Sequence, residues 1–145
     1  MIPHLSERAL ILAPRGRDGQ VATSLLSEAG LHCLTCRDLP DLVGGLQHGA
    51  GVAVLTDDSL WTADLGPLAA WIGAQPDWSD FPFILLTERG GGPERNPEAS
   101  RHLGVLGNVS FLERPFHPTS LVSLARSALR GRRRQYEARA RMEAL

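Results

Sequence analysis

Lysine is missing altogether: the 15 basic side chains are all arginine. That removes the amine a phosphate-binding P-loop needs, and no G-x-G-x-x-G fingerprint stands in for it. Cysteine is scarce, with only 2 residues, too few for a disulfide framework. Cys33 and Cys36 form a C-x-x-C inside Leu31-His32-Cys33-Leu34-Thr35-Cys36, which reads as a strand. Residues three apart on a strand face opposite ways, so the pair reads as structural rather than redox-active. No apolar run is long enough to span a bilayer and the N-terminus has no signal-like apolar core, so the expected location is the cytoplasm, with no membrane partner. His4, His32, His48, His102 and His117 show no metal-ligand spacing, and no metal or other cofactor is expected.

What is present suits one domain with a proper core: 145 residues, 43% hydrophobic and 21% charged. The net charge of −1 hides an asymmetry. Residues 126–145 carry seven Arg against Glu137 and Glu143, while the rest of the chain is acidic.

Taken in order, residues 1–7 read as a frayed leader. Ala9-Leu10-Ile11-Leu12-Ala13 is a continuous apolar run, as for a strand buried on both faces. Asp18 is placed to cap a helix that Gly30 ends. Residues 31–35 read as a second strand, and Asp38 with Pro40 opens a second helix. Residues 51–55 form a third strand, followed by the acidic Thr56-Asp57-Asp58-Ser59. A third helix uses Leu65, Leu68, Ala69 and Ile72. Residues 81–87 form a fourth strand, 88–97 a glycine-rich loop, 99–103 a short helix and 108–112 a fifth strand. The last helix starts near Pro118 and shows no stop signal before Leu145. Five buried strands alternating with five helices predict a doubly wound parallel α/β sheet.

The junction Phe111-Leu112-Glu113-Arg114-Pro115-Phe116-His117-Pro118 sets one cation at the C-terminal edge of that sheet. Pro115 ends the strand and Pro118 suits a helix's first turn. In open α/β sheets that edge is where ligands bind. Strand three ending in an acidic loop, strand four ending in Pro82-Phe83-Ile84-Leu85-Leu86-Thr87, and this junction together resemble the receiver (CheY-like) domain of two-component signalling. The resemblance covers residues 8–130 and implies a five-stranded sheet of order 2-1-3-4-5, with 131–145 as an extension of the last helix leading to a following module.

The resemblance also implies a pocket of acids after strand one, a phosphoacceptor Asp after strand three, a Thr after strand four and a Lys before Pro on strand five. Thr87 matches the Thr and Phe111 the switch aromatic. Arg114 stands at the Lys position, and Pro14 and Arg15 stand where the acids belong. Counting from Val52 puts Thr56 in the phosphoacceptor slot, with Asp57 one residue late and facing the other way unless the strand end bulges. Arg15 and Arg17 make the local field hostile to Mg²⁺. The expected function is therefore a non-catalytic pseudo-receiver, similar to those fused N-terminally to bacterial sensor histidine kinases. The alternative is an active phosphoacceptor receiver (response regulator) using Asp57 with Mg²⁺.

Two readings of the pocket follow. Arg114 pairs with Asp57 or Asp58 and fills the vacated metal site, which is preferred; or Arg114, Arg15 and Thr87 hold a small anion. Trp61, Trp71 and Trp78 are expected to cover the sheet and anchor the loop before strand four rather than form an interaction surface. On the last helix, Leu121, Leu124, Ala128, Gly131, Gln135, Ala138, Met142 and Leu145 follow a heptad seam, which predicts a homodimer joined through that helix. Nucleic acid is a weaker partner for Arg130, Arg132, Arg133 and Arg134, since a charge run is usually a solvated face. The expected partners are a second copy and a histidine-kinase or other signalling output module.

Overall fold

The fold was obtained as a computed structural model that describes residues 7–88 and 97–145. Most of the expected leader and of the glycine-rich loop lies outside the described residues.

Five short apolar runs become strands: β1 (Ala9–Leu12), β2 (Cys33–Thr35), β3 (Val52–Thr56), β4 (Phe83–Thr87) and β5 (Val109–Glu113). All neighbours pair parallel, in the order β2-β1-β3-β4-β5. Every residue of β1, β3 and β4 is buried, because helices cover both faces of the sheet. The sequence places the polar residues at the two edges: β2 and β5 are partly exposed.

The helices are α1 (Asp18–Glu28), α2 (Leu39–His48), α3 (Gly66–Gly73), α4 (Pro97–Leu106) and α5 (Pro118–Glu143). Leu26 of α1 and Leu121, Ala125 and Leu129 of α5 pack on one face, against Ile11, Val54 and Ile84. Leu42 and Leu46 of α2, Leu68 of α3 and Leu106 of α4 pack on the other, against Leu10, Leu55 and Leu85. Local chemistry explains several helix ends. Asp38 accepts from the Asp41 backbone N–H at 2.9 Å at the start of α2, followed by Pro40 in the first turn. His117 does the same for Thr119 at 3.2 Å ahead of Pro118. Asp18 is not the cap expected of it: Arg17 holds that position without a side-chain bond, and the Asp18 carboxylate turns elsewhere.

A single turn of 3-10 helix, Asp57–Leu60, follows β3. The C-terminal ends of β1, β3, β4 and β5 share one edge, with Leu12 opposite Leu55, Thr56 opposite Leu86 and Thr87 opposite Glu113. From there α5 runs back along the sheet for 26 residues, about 39 Å at ~1.5 Å per residue.

The expected boundary at residue 130 falls within a packed stretch. Arg132 is buried, the Tyr136 hydroxyl donates to the Ala50 carbonyl at 3.0 Å, and Arg139 lies 5.2 Å from the Trp78 ring. The heptad seam needs the same correction. Leu121 is fully buried in the domain's own core, with Leu124 and Ala128 against it, and Gln135 bonds Asp80. The burying stripe is Leu121, Ala125, Leu129 and Arg132, so the sheet rather than a second copy takes that side of the helix.

Candidate functional site

Arg114 is the centre of the C-terminal sheet edge. Its backbone N–H donates to the Thr87 carbonyl at 2.7 Å, which fixes where its side chain starts. The guanidinium then reaches three acids from two other elements. Nη2 meets Asp57 Oδ1 at 2.6 Å, Nη1 meets Asp18 Oδ2 at 2.9 Å, and Nη1 lies 3.7 Å from Asp58 Oδ1. Nε donates to the Thr87 carbonyl at 3.3 Å. Burial works against the arginine's charge, but the bond to Asp18 and the fields of Asp57 and Asp58 outweigh it, and its pKa stands above the ordinary value.

Asp57, not Thr56, faces this cluster. Val52 and Val54 point to the α1/α5 side, and strand alternation continues that side to Thr56. Ala53 and Leu55 point the other way, the side that Asp57 inherits as the 3-10 turn begins. The slot therefore belongs to the first residue past the strand. Asp57 Oδ1 also accepts from the Asp58 backbone at 2.8 Å, and Oδ2 accepts from the Glu88 backbone at 3.3 Å.

The acids expected after β1 come from further along. Pro14 and Arg15 are exposed, and Arg15 touches the cluster only through Nε, 3.8 Å from Asp58 Oδ2. Asp18, on the first turn of α1, supplies the missing carboxylate. The site thus holds three carboxylates against two guanidiniums and is not the cationic environment expected from Arg15 and Arg17. A divalent ion nonetheless does not fit as the residues stand. The guanidinium lies between Asp57 and Asp18, takes one oxygen of each and puts a positive charge where such an ion would sit. Among the described residues, no three acidic, histidine or cysteine side chains are grouped to hold a metal.

Among the described residues, three buried oxygens at this edge meet no hydrogen-bond partner: Thr87 Oγ1, Thr56 Oγ1 and Asp58 Oδ2. Phe111 is half-buried and packs against the core on the α2/α3 side. Trp61, one residue past the 3-10 turn, is half exposed. Trp71 and Trp78 lie at the opposite end of the sheet, Trp71 edge-on to Phe81 at 5.5 Å and Trp78 against Tyr136 at 6.0 Å. Cys33 and Cys36 pack against opposite faces of the sheet, as the strand reading requires.

No protein-family model matches the chain, and no curated protein matches it in sequence. Solved structures do. Over 92% of this chain, NtrX from Brucella abortus superposes with a TM-score of 0.72 at 18% identity. The signal receiver domain of an HD domain-containing protein from Pseudomonas fluorescens gives 0.71 at 17% identity over 91% of the chain. The fold is that of a receiver domain. The signal receiver domain of a signal transduction histidine kinase from Syntrophus aciditrophicus gives 0.67 at 22% identity over 86% of the chain. This chain spans 93% and 91% of those two isolated receiver domains but only 29% of the NtrX chain. Among the described residues, no helix is long and apolar enough to cross a membrane.

Sequence reading missed Asp18 and Arg132. Asp18 had a plausible local role as a helix cap, which hid its long-range one. Arg132 carried a usable signal, since it continues the stripe 121, 125, 129 at helical spacing.

Proposed function

We propose that the chain is a non-catalytic regulatory module of two-component signalling, a cytoplasmic pseudo-receiver that works without phosphorylation. The observation that carries this is the Arg114 guanidinium lodged between Asp57 and Asp18. A phosphoacceptor must present a free carboxylate beside a metal. Here the carboxylate is bonded to a cation and to two backbone N–H groups. The salt bridge ties β5 to α1 and to the turn after β3. Since α5 begins four residues after Arg114, the cluster fixes where that helix starts. On this reading the output runs through α5 to a following module, such as the rest of a sensor histidine kinase. On this reading self-association falls to the outer end of the helix, where Met142 and Leu145 are exposed, and not to Leu121.

One observation favours a second reading, that of an active phosphoacceptor. Asp57 does face the pocket, and the buried Thr87 hydroxyl on the adjoining strand meets no partner among the described residues. Amide chemical shifts of the labelled protein, with Mg²⁺ and then beryllium fluoride as a phosphoryl mimic, separate the two. The pseudo-receiver predicts unchanged shifts at Asp57, Thr87 and Phe111. Saturable shifts concentrated at those residues overturn it.

A further inference from the structure

The opposite end of the sheet holds a second cluster that the regulatory reading does not use. Arg132 is 5% exposed, yet among the described residues no carboxylate bonds it. Its Nη1 donates to Ser79 Oγ at 2.7 Å and Gln135 Oε1 at 2.6 Å, and its Nε donates to the Tyr136 hydroxyl at 3.2 Å. Among the described residues no acceptor meets Nη2. The rings of Trp78, Phe81 and Tyr136 lie 5.4, 5.1 and 4.9 Å from the guanidinium carbon, so its charge is held by ring faces, neutral dipoles and the field of Asp80.

Beside Arg132 lies a cavity of about 310 Å³, within the size range of small-molecule sites. Trp71, Trp78 and Phe81 give it an apolar wall, and Arg132 and Arg139 give it positive charge. Among the described residues, no Asp or Glu lines it. Arg139 is joined to Glu143 at 2.9 Å, whereas Arg132 has no ion pair among the described residues and feels Asp80 only through its field. A buried guanidinium whose Nη2 N–H groups are unused, next to flat apolar walls, is complementary to a ring that carries one negative charge. One free donor nitrogen suits a monoanionic group better than a phosphate dianion, whose second charge and third oxygen would go unmet.

We infer that this cavity is a binding site for a small aromatic carboxylate, its ring against the tryptophan wall and its carboxylate on Arg132. Arg132, Tyr136 and Arg139 all belong to α5, whereas Trp71, Trp78 and Ser79 belong to α3 and the segment before β4. A ligand there binds both at once and strengthens the hold of the body on the helix. The inference stands independently of whether Asp57 accepts a phosphoryl group.

The test is a titration of the ¹⁵N-labelled chain with phenylacetate and with 2-naphthoate, following the three indole N–H signals. Acetate and benzyl alcohol serve as the ringless and uncharged controls. The expected result is saturable movement of the Trp71 and Trp78 signals with Trp61 still, and roughly tenfold weaker response to either control. Arg132→Lys should weaken the carboxylates, but removing a buried contact can also unfold the chain. Ala74→Glu avoids that risk: residue 74 is exposed and lines the cavity, and a carboxylate there should cut affinity about tenfold by like-charge repulsion. Indole signals unmoved by about 10 mM of either carboxylate overturn the inference, since affinity would then be weaker than ~3 kcal/mol. Acetate acting as strongly as 2-naphthoate, or Ala74→Glu binding unchanged, overturns it equally.

Discussion

Arg114 Nη2 and Asp57 Oδ1 lie 2.6 Å apart although 57 residues separate them in the chain. The side chains are 20% and 10% exposed, so the pair is mostly shielded from water and salt. The pair should therefore be coupled. In a double-mutant cycle of Arg114→Met and Asp57→Asn, urea unfolding should give an interaction energy of ~1–3 kcal/mol, with Arg114→Met alone the more harmful because it strands three acids. Additive effects within about 0.5 kcal/mol would mean that the contact holds nothing together.

Asp18 offers a separate check on the same cluster. Its carboxylate is 35% exposed, so Asp18→Asn should cost less, roughly 0.5–1 kcal/mol, and the loss should shrink in high salt. Asp57→Asn should be nearly insensitive to salt. A variant pair with the reverse order of salt dependence would contradict the burial assigned to these carboxylates.

The parts of this arrangement that are local in sequence were legible in it. Apolar runs of strand length, Asp38 ahead of Pro40, and Pro118 at a helix start each report their own few residues, and the sheet order follows from parallel pairing and the receiver resemblance. The site was legible in its residue types and not in its directions. Whether Thr56 or Asp57 faces the pocket depends on where β3 gives way to a 3-10 turn, a shift of one residue that no propensity resolves. Asp18 was hidden because a helix-opening acid already has a local explanation, while its partner Arg114 is 96 residues away. Arg132 was hidden by its neighbours: in Arg130-Gly131-Arg132-Arg133-Arg134 only helical phase distinguishes the buried arginine from the solvated ones.

Gly51, just ahead of β3, sits tightly against Leu129 of α5 and the backbone of Glu7. A Cβ there would lie 2.4 Å from Leu129 Cδ2 and 2.9 Å from the Glu7 Cα. Leucine could turn aside, but the backbone at Glu7 has to move. Gly51→Ala should thus lose ~1–3 kcal/mol. Leu129→Ala should cost ~2–4 kcal/mol by itself. The double variant should be less unstable than the two losses added, because the smaller side chain relieves one of the clashes. Full additivity would show that the contact with α5 does not limit this position.

Cys36 gives the fold a dependence on alkaline pH. Its side chain is buried beneath α2, and burial first, then Asp41, raises its pKa from 9.0 to about 11. The native state therefore holds the thiol proton more tightly than the unfolded chain. That stabilisation is complete below pH 9.0 and is lost as pH rises toward 11, on the order of 1–3 kcal/mol across the window. Cys33 is also raised by burial, but it lies at the partly exposed β2 edge. At pH 8, a thiol reagent should modify Cys33 first, and Cys36 only at the rate of unfolding. Comparing urea midpoints of the natural chain and Cys36→Ala from pH 8 to 11 isolates the contribution. The natural chain should lose stability faster than the variant. Parallel curves, or equal modification of both cysteines in the folded protein, would show that Cys36 is not shielded as its position beneath α2 requires.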